Sequence, residues 1–425
     1  MAGSRGHDDS RQGRRRHGAQ QVRHGAAMTT FLAEASARYG AANAAALGWM
    51  LDRPRRWGGF LDTCYNALER RDYTHADGYR GPQYLHGWIQ GRGLEALARF
   101  GRALAAEDAA LSTRCHGAAG PLHDALARLI EPSGHAFFRY DTALQPLLCA
   151  PDAPVRRQVT APDLYTYSDA FAAKGLVAAA GWLGDARLPD WRGYLGRVVT
   201  AVEEGRFQID EAAPISAETI AAQPDAYTPR MILLGAAPHA RETAYVGRFV
   251  EHVLSRHLDC ATGLLRDVAG ADATNPGHAA EFVGLTLEAM PDDPDPALVA
   301  QLGRILGAAF RAGFDGRGLV LRRSISTGQP MSPYRPWWPL VETIRAAALV
   351  WERTRSDAAL AIWKAADKAF FEHYWLDDPP VAIQSRNAHG PVDHVPATPD
   401  LDPGYHTGLS LLAAEQVARR ALAGD

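Results

Sequence analysis

The chain has little of what marks several protein classes. It holds four cysteines in 425 residues, Cys64, Cys115, Cys149 and Cys260. They lie far apart with no CxxC pair, which excludes a disulfide scaffold or cysteine zinc site and fits buried reduced thiols in a cytoplasmic protein. No apolar run approaches the roughly 18 residues that cross a bilayer, so no membrane segment is expected. The formal net charge is −3. Without an overall basic field, nucleic acid and anionic membranes are not expected partners, whereas a small polar substrate is compatible. There is no GxGxxG ahead of a helix and no GxxxxGK[ST] loop, hence no ground for a dinucleotide or a P-loop.

Residues 1–28 differ from the rest, with six Arg, three His and no apolar segment before Met28. A secretory signal needs that segment, so this stretch reads as a disordered basic extension or an artefact. No Pro/Ser-rich linker divides residues 29–425, which are expected to form a single domain.

From residue 30 onward the pattern is mostly helical, with Ala-rich apolar faces at period 3.6 between Gly/Pro/Asp-rich connections. Leu94, Leu97, Gly101 and Leu104 share one face, and Glu95, Arg99 and Arg102 fall on the other. Extended pieces are short: Gly59–Leu61, Ala136–Phe138 and Leu319–Arg322 read as hairpin edges in loops. The class is all-α with small β decorations.

Polar-aromatic motifs recur along the chain. They are Trp88-Ile89-Gln90-Gly91-Arg92, Tyr167-Ser168-Asp169-Ala170-Phe171, Thr228-Pro229-Arg230-Met231, Asn275 to Glu281, Trp337-Trp338-Pro339-Leu340-Val341-Glu342, and Gly404-Tyr405-His406. Their spacing is about the length of two helices with loops. Six recurrences imply a closed ring of six helical hairpins, an (α/α)6 barrel, whose inner helices present the motifs to one pocket.

The most telling motif is Asn275-Pro276-Gly277-His278-Ala279-Ala280-Glu281. Asn275 is a favoured N-cap and Pro276 suits N1, which places His278 and Glu281 three apart on one helix face. The positive end of the helix dipole disfavours imidazolium, so His278 is expected to stay neutral and able to accept a proton.

These motifs, with Gly58-Gly59-Phe60, occur in the order found in the N-acylglucosamine 2-epimerase family, sugar epimerases and isomerases with an (α/α)6 barrel, which the chain resembles from about residue 45 to its end. The Pro229-Arg230-Met231-Ile232-Leu233-Leu234-Gly235 stretch is closer to the N-acylglucosamine branch than to cellobiose 2-epimerases and mannose isomerases, which tend to carry Met-His-Leu-x-Glu-Ala there. The chain departs from the family in having Phe282-Val283-Gly284-Leu285 after Glu281, and neither a Lys before nor an Arg just after Tyr405-His406. The resemblance implies a homodimer, and ATP as an effector of some members; no cofactor is required by the chemistry.

An opened aldose has a C2 proton made acidic by the adjacent carbonyl. A base removes it while a donor stabilises charge on O1, and reprotonation from the opposite face gives the 2-epimer, or at C1 the ketose. His278 and His406 are the candidate acid/base pair, as the resemblance also implies. Arg92 is the candidate cation for a sugar oxygen or the enediolate. Glu281 would orient His278 or assist ring opening. Trp338 would stack on the sugar, with Glu342 following at i+4, and Trp337 would belong to the core. Gln90, Tyr167 and Asp169 complete the substrate-binding candidates. No metal is expected, since His278 and Glu281 supply two ligands and no second HxxE or HExxH motif completes a set.

The first reading is thus a 2-epimerase of an N-acylated hexosamine. Aldose–ketose isomerisation or 2-epimerisation of an unsubstituted hexose is the alternative. Further off stand a glycoside hydrolase using Asp169 and Glu342 as paired carboxylates, and a sugar-binding relative without catalysis.

Overall fold

The computed structural model describes residues 9–148, 155–240, 244–290, 294–394, 398 and 401–424, with side chains from residue 25 onward. The N-terminal stretch expected to be an extension therefore lies partly outside the described residues, 1–8 wholly and 9–24 for their side chains.

Among the described residues there are fourteen α-helices: α1 (Asp9–Asp52), α2 (Gly87–Ala103), α3 (Ala109–Ile130), α4 (Tyr167–Leu183), α5 (Leu188–Glu203), α6 (Ala217–Ala222), α7 (Thr228–Leu234), α8 (Ala237–Ala240), α9 (Ala244–His257), α10 (Pro276–Ala289), α11 (Pro296–Gly313), α12 (Trp338–Thr354), α13 (Asp357–His373) and α14 (His406–Ala423). Helices α2, α4, α7, α10, α12 and α14 touch in that order, and α14 returns to α2 to close a ring. Outside it, α3, α5, α9, α11 and α13 each pack on the inner helix before them, while α1 packs on α14. This is the expected (α/α)6 barrel, its sixth pair made from the two ends of the chain.

Close approach within the ring depends on small residues. A Cβ on Gly91 of α2 would lie 2.6 Å from the Phe171 carbonyl of α4, and one on Gly175 of α4 would lie 2.4 Å from the Gly91 oxygen. The two backbones therefore cross glycine to glycine, and a methyl on either would force them apart.

The strands gather where inner helices begin. Leu85–His86 leads into α2 and pairs with Arg139–Tyr140, whereas Tyr165–Thr166 leads into α4 and runs parallel to Phe207–Gln208. Ala273–Thr274 ahead of α10 pairs with Arg323–Ser324, and Arg335–Pro336 ahead of α12 pairs with Ser385–Asn387. Each ladder fixes the direction in which its helix starts, so one rim carries the helix N-termini together. The expected edges at Ala136–Phe138 and Leu319–Arg322 sit just before the observed strands, and at Gly59–Leu61 only an Arg56–Phe60 bridge forms.

Glu95, on the face of α2 opposite its apolar stripe, is 1% exposed, and Lys174 meets it at 3.4 Å. An inner helix is enclosed on all sides, so its polar face turns to other charges rather than to water. Cys64 and Cys115 are buried free thiols as expected, but Cys260 is exposed, and Cys149 lies outside the described residues. Among the described residues no helix is long and apolar enough to cross a membrane.

Candidate active site

Local capping sets the two histidines on the rim. The Asn275 side chain accepts from the backbone N–H groups of Gly277 and His278 at 3.0 and 3.1 Å, which starts α10 where its sequence predicts. Asp402 does the same for α14, accepting from Tyr405, His406 and Thr407 at 2.9, 3.1 and 2.7 Å. Gly277 leaves room for an aromatic, since a Cβ there would stand 2.7 Å from the Trp338 ring. Trp338, at the start of α12, uses that room to stack on His278, with ring centroids 5.2 Å apart and planes 28° off parallel. The same indole lies 5.7 Å from the His406 ring.

These groups line a cavity of about 360 Å3 at the centre of the rim. Its wall is formed by Trp88, Ile89, Arg92, Tyr167, Ile209, Thr228, Met231, Ile232, Asn275, His278, Glu281, Leu321, Trp337, Trp338, Thr398, Asp402 and His406. Every inner helix contributes, so the ring brings together residues spread over more than 300 positions.

His406 is held by a buried chain of charges. Its Nδ1 lies 2.8 Å from Glu342 Oε1, and Arg345 donates from Nε to Glu342 Oε2 at 3.0 Å. Arg345 also meets Glu288 at 3.5 Å, which in turn pairs with Arg99 at 3.2 Å. Burial would push the Glu342 carboxyl up, but Arg345 and His406 pull it below the usual carboxylate range. An ionised Glu342 accepts a hydrogen bond from Nδ1–H and so leaves the His406 Nε2 lone pair for the cavity.

His278 differs. Its Nδ1 is buried and has no hydrogen-bond partner among the described residues. Burial first, then the neighbouring His406 and Arg322, lower its pKa to about 4. The imidazole is thus neutral near pH 7 as its sequence position predicts, although burial rather than the helix dipole is the main cause. Glu281 does not orient it by a hydrogen bond. That carboxyl is raised by burial and by Glu342, which favours the protonated form, a donor toward the cavity.

Arg92 lies over the rings of Phe171, Tyr405 and Trp88 at 4.1, 5.3 and 5.4 Å, and its Nε finds no partner among the described residues. Burial lowers its pKa, so the stacked guanidinium gains from any negative charge brought into the cavity. Beneath it Lys174 donates to the Tyr405 hydroxyl at 2.8 Å.

The structure brings His278, His406, Arg92, Glu281, Trp338 and Tyr167 to one cavity, with Glu342 directly behind His406. Tyr167 is tied by its hydroxyl to Thr228. Two candidates fall elsewhere. Gln90 is 1% exposed and spends its amide on Leu61, accepting from its N–H at 2.8 Å and donating to its carbonyl at 3.2 Å. Asp169 accepts from Tyr194, Ala136 and Thr166 at 2.6, 2.9 and 2.8 Å, a capping and bracing role. Trp337, assigned to the core, also lines the cavity and donates to Thr407 at 3.0 Å.

Sequence reasoning missed Trp88 as a cavity residue and Glu211, Lys174 and Arg345 as supports. Glu211 accepts from Trp88 Nε1 at 2.8 Å and from Ser168 N and Oγ at 2.9 and 2.6 Å, joining the starts of α2 and α4. Burial raises it to about 7 despite those donors. Trp88 stood in one of the six motifs, which was the available signal; Glu211 stood in none. Tertiary contact also gathers a ligand-type cluster other than the His278–Glu281 pair, since Glu281, Glu342 and His406 offer donor atoms within 4.8 Å of one another. Arg345 engages Glu342 in that cluster.

The closed ring of paired helices with one motif-lined rim defines the class, an (α/α)6 barrel. Solved structures that the chain is similar to include several sugar-converting enzymes. With the cellobiose 2-epimerase from Spirochaeta thermophila the TM-score is 0.68 at 13% identity, covering 92% of this chain and 98% of that one. With a D-mannose isomerase it is 0.68 at 14% identity, covering 89% and 97%. With a sugar epimerase from a ruminal bacterium it is 0.63 at 13%, covering 88% and 96%. No protein-family model matches the sequence, and no curated protein does. At such identities the likeness establishes the fold.

Proposed function

We propose that the chain is a carbohydrate epimerase or isomerase, and more narrowly a 2-epimerase of an N-acylated hexosamine. The observation that carries this reading is the placement of His278 and His406 on one cavity, both against Trp338, with Glu342 behind one of them. Two nitrogen bases at one site suit removal of a proton from one face of C2 and its return to the other.

In this reading Trp338 meets the apolar face of the sugar and Glu281, in its protonated form, assists ring opening. One histidine takes the C2 proton while Arg92 stabilises the enediolate charge on O1. The other histidine relays a solvent proton to the opposite face, and the first releases the C2 proton to solvent, so that the protons balance over the cycle. Glu342 stabilises the positive charge that forms on His406 when its Nε2 takes a proton.

The N-acyl assignment is supported by the apolar part of the wall. Met231 and Ile232 of α7, with Ile209 and Leu321, give the acyl methyl a place out of water, for which an unsubstituted hexose has no matching group. The hydrolase reading loses its acid and base, because Asp169 is committed to Tyr194, Ala136 and Thr166 and Glu342 to His406 and Arg345.

Incubation with N-acetylglucosamine, N-acetylmannosamine, mannose, fructose and glucose, followed by product chromatography, tests the reading. Interconversion of the N-acetyl pair in preference to the hexoses is expected. Turnover of hexoses alone would remove the N-acyl assignment, and turnover of none would remove the enzyme class.

A further inference from the structure

Away from the cavity, two imidazoles on α9 meet the loop that leads into α7. His257 is 0% exposed, and its Nδ1 lies 3.0 Å from the Arg266 carbonyl oxygen. That bond makes Nδ1 the proton carrier and leaves a lone pair on Nε2. The His257 Nε2 is buried with no hydrogen-bond partner among the described residues, and so is the His252 Nε2. The two rings are 5.9 Å apart and tilted by 39°. Asp225 brings Oδ1 to 3.8 Å from the His252 Nε2, and donor atoms of the three residues all lie within 4.8 Å of one another.

Two imidazole Nε2 atoms gathered within 4.8 Å of one carboxylate oxygen, with no hydrogen bond to either nitrogen among the described residues, are poorly served by a purely organic surrounding. We propose that Asp225, His252 and His257 bind one zinc-type dication. A carbonyl accepting the far N–H of His257 is the support that metal-bound imidazoles use. Two imidazole nitrogens and one carboxylate oxygen, with water as the fourth ligand, suit zinc and its neighbours rather than magnesium or calcium.

Charge around the site sharpens that choice. Arg256 holds Asp225 Oδ2 at 2.9 and 2.7 Å but leaves Oδ1 free for a ligand role. Arg256 and Arg230 both face the imidazoles and repel a cation, which is retained only by strong coordinate bonds to nitrogen. The C-terminal end of α9, where His257 sits, adds a favourable dipole.

The site joins the end of an outer helix to the residues just before α7, the shortest inner helix at seven residues. Met231 and Ile232 of α7 line the cavity, so a bound cation would brace that wall from outside without touching substrate.

The test uses the full-length protein stripped with chelator, then equilibrated with zinc chloride and dialysed, with bound metal measured by mass spectrometry and the thermal midpoint recorded. The wild type is expected to retain one zinc per chain and to unfold at higher temperature with zinc. Asp225→Asn and His252→Gln, both at partly exposed side chains, are expected to lower zinc affinity by about 10-fold or more while keeping wild-type circular dichroism without metal. His406→Asn serves as control for the cavity cluster and is expected to retain the zinc. No zinc on the wild type, zinc undiminished in both Asp225→Asn and His252→Gln, or zinc lost only with His406→Asn would each overturn the proposal.

Discussion

His406 Nδ1 stands 2.8 Å from Glu342 Oε1, and Glu342 is entirely buried. The pair fixes which nitrogen of His406 faces the cavity and, in the proposed reaction, would supply the counter-charge for a proton taken there. Arg345 holds the other carboxylate oxygen, so the arrangement is rigid on both sides.

Glu342→Gln keeps the shape but removes the charge. We expect kcat to fall by on the order of 10³-fold with KM changed little, because the amide no longer stabilises an imidazolium. Breaking the buried pair with Arg345 is also expected to cost about 3–5 kcal/mol in stability. Steady-state kinetics and urea denaturation measure both. An unchanged kcat would mean that Glu342 serves packing alone.

Arg92 is stacked on three aromatic rings. Lysine cannot reproduce a planar stacked cation, so Arg92→Lys is expected to lower kcat/KM by about 10²-fold despite retaining charge. Activity near wild type would show that only a diffuse positive potential is needed.

Gln90 separates a structural from a substrate role. Gln90→Ala orphans the N–H and C=O of Leu61 and is expected to destabilise by about 1–3 kcal/mol with KM unchanged. Raised KM with no loss of stability would place Gln90 in contact with substrate after all.

The depressed pKa of His278 has a definite sign in pH dependence. The folded protein takes up its proton only toward about 4, whereas the free side chain does so near 6.5. The unfolded chain therefore binds more protons between those values, and stability, complete above that window, is lost as pH falls through it. Urea midpoints at about pH 7 and about pH 5 should differ less in His278→Phe than in the wild type, since the variant lacks the titrating group. An equal difference in both would show that His278 does not carry this linkage.

The inner-helix starts were legible because capping is local: Asn275 before Pro276 announces α10, and the bond from Asn275 to His278 needs no distant residue. The six motifs sit at the rim for the same reason. Partnerships across the barrel were not legible. Glu342 reaches His406 over 64 positions and Lys174 reaches Tyr405 over 231, distances at which no periodicity carries information. Periodicity puts Glu95 and Arg99 on the polar face of α2, but amphipathic period alone cannot tell water from an opposing charge inside a ring. Gln90 and Asp169 stand inside cavity motifs yet point away from the cavity, Gln90 to the Leu61 backbone and Asp169 to the Tyr194 hydroxyl of α5 and the backbone N–H groups of Ala136 and Thr166. Gln90 and Arg92 differ by two positions on a helix and so cannot share a face.

The proposed movement of a C2 proton by His278 and His406 is read without intermediaries by NMR. Wild type, His278→Ala and His406→Ala are each incubated with N-acetylglucosamine and N-acetylmannosamine in deuterated water, and exchange at C2 is followed. Deuterium is expected at C2 with the wild type, and exchange slower by about 10²-fold or more in each variant. Undiminished exchange in both variants, or no exchange with either sugar in the wild type, would remove the two histidines from the chemistry.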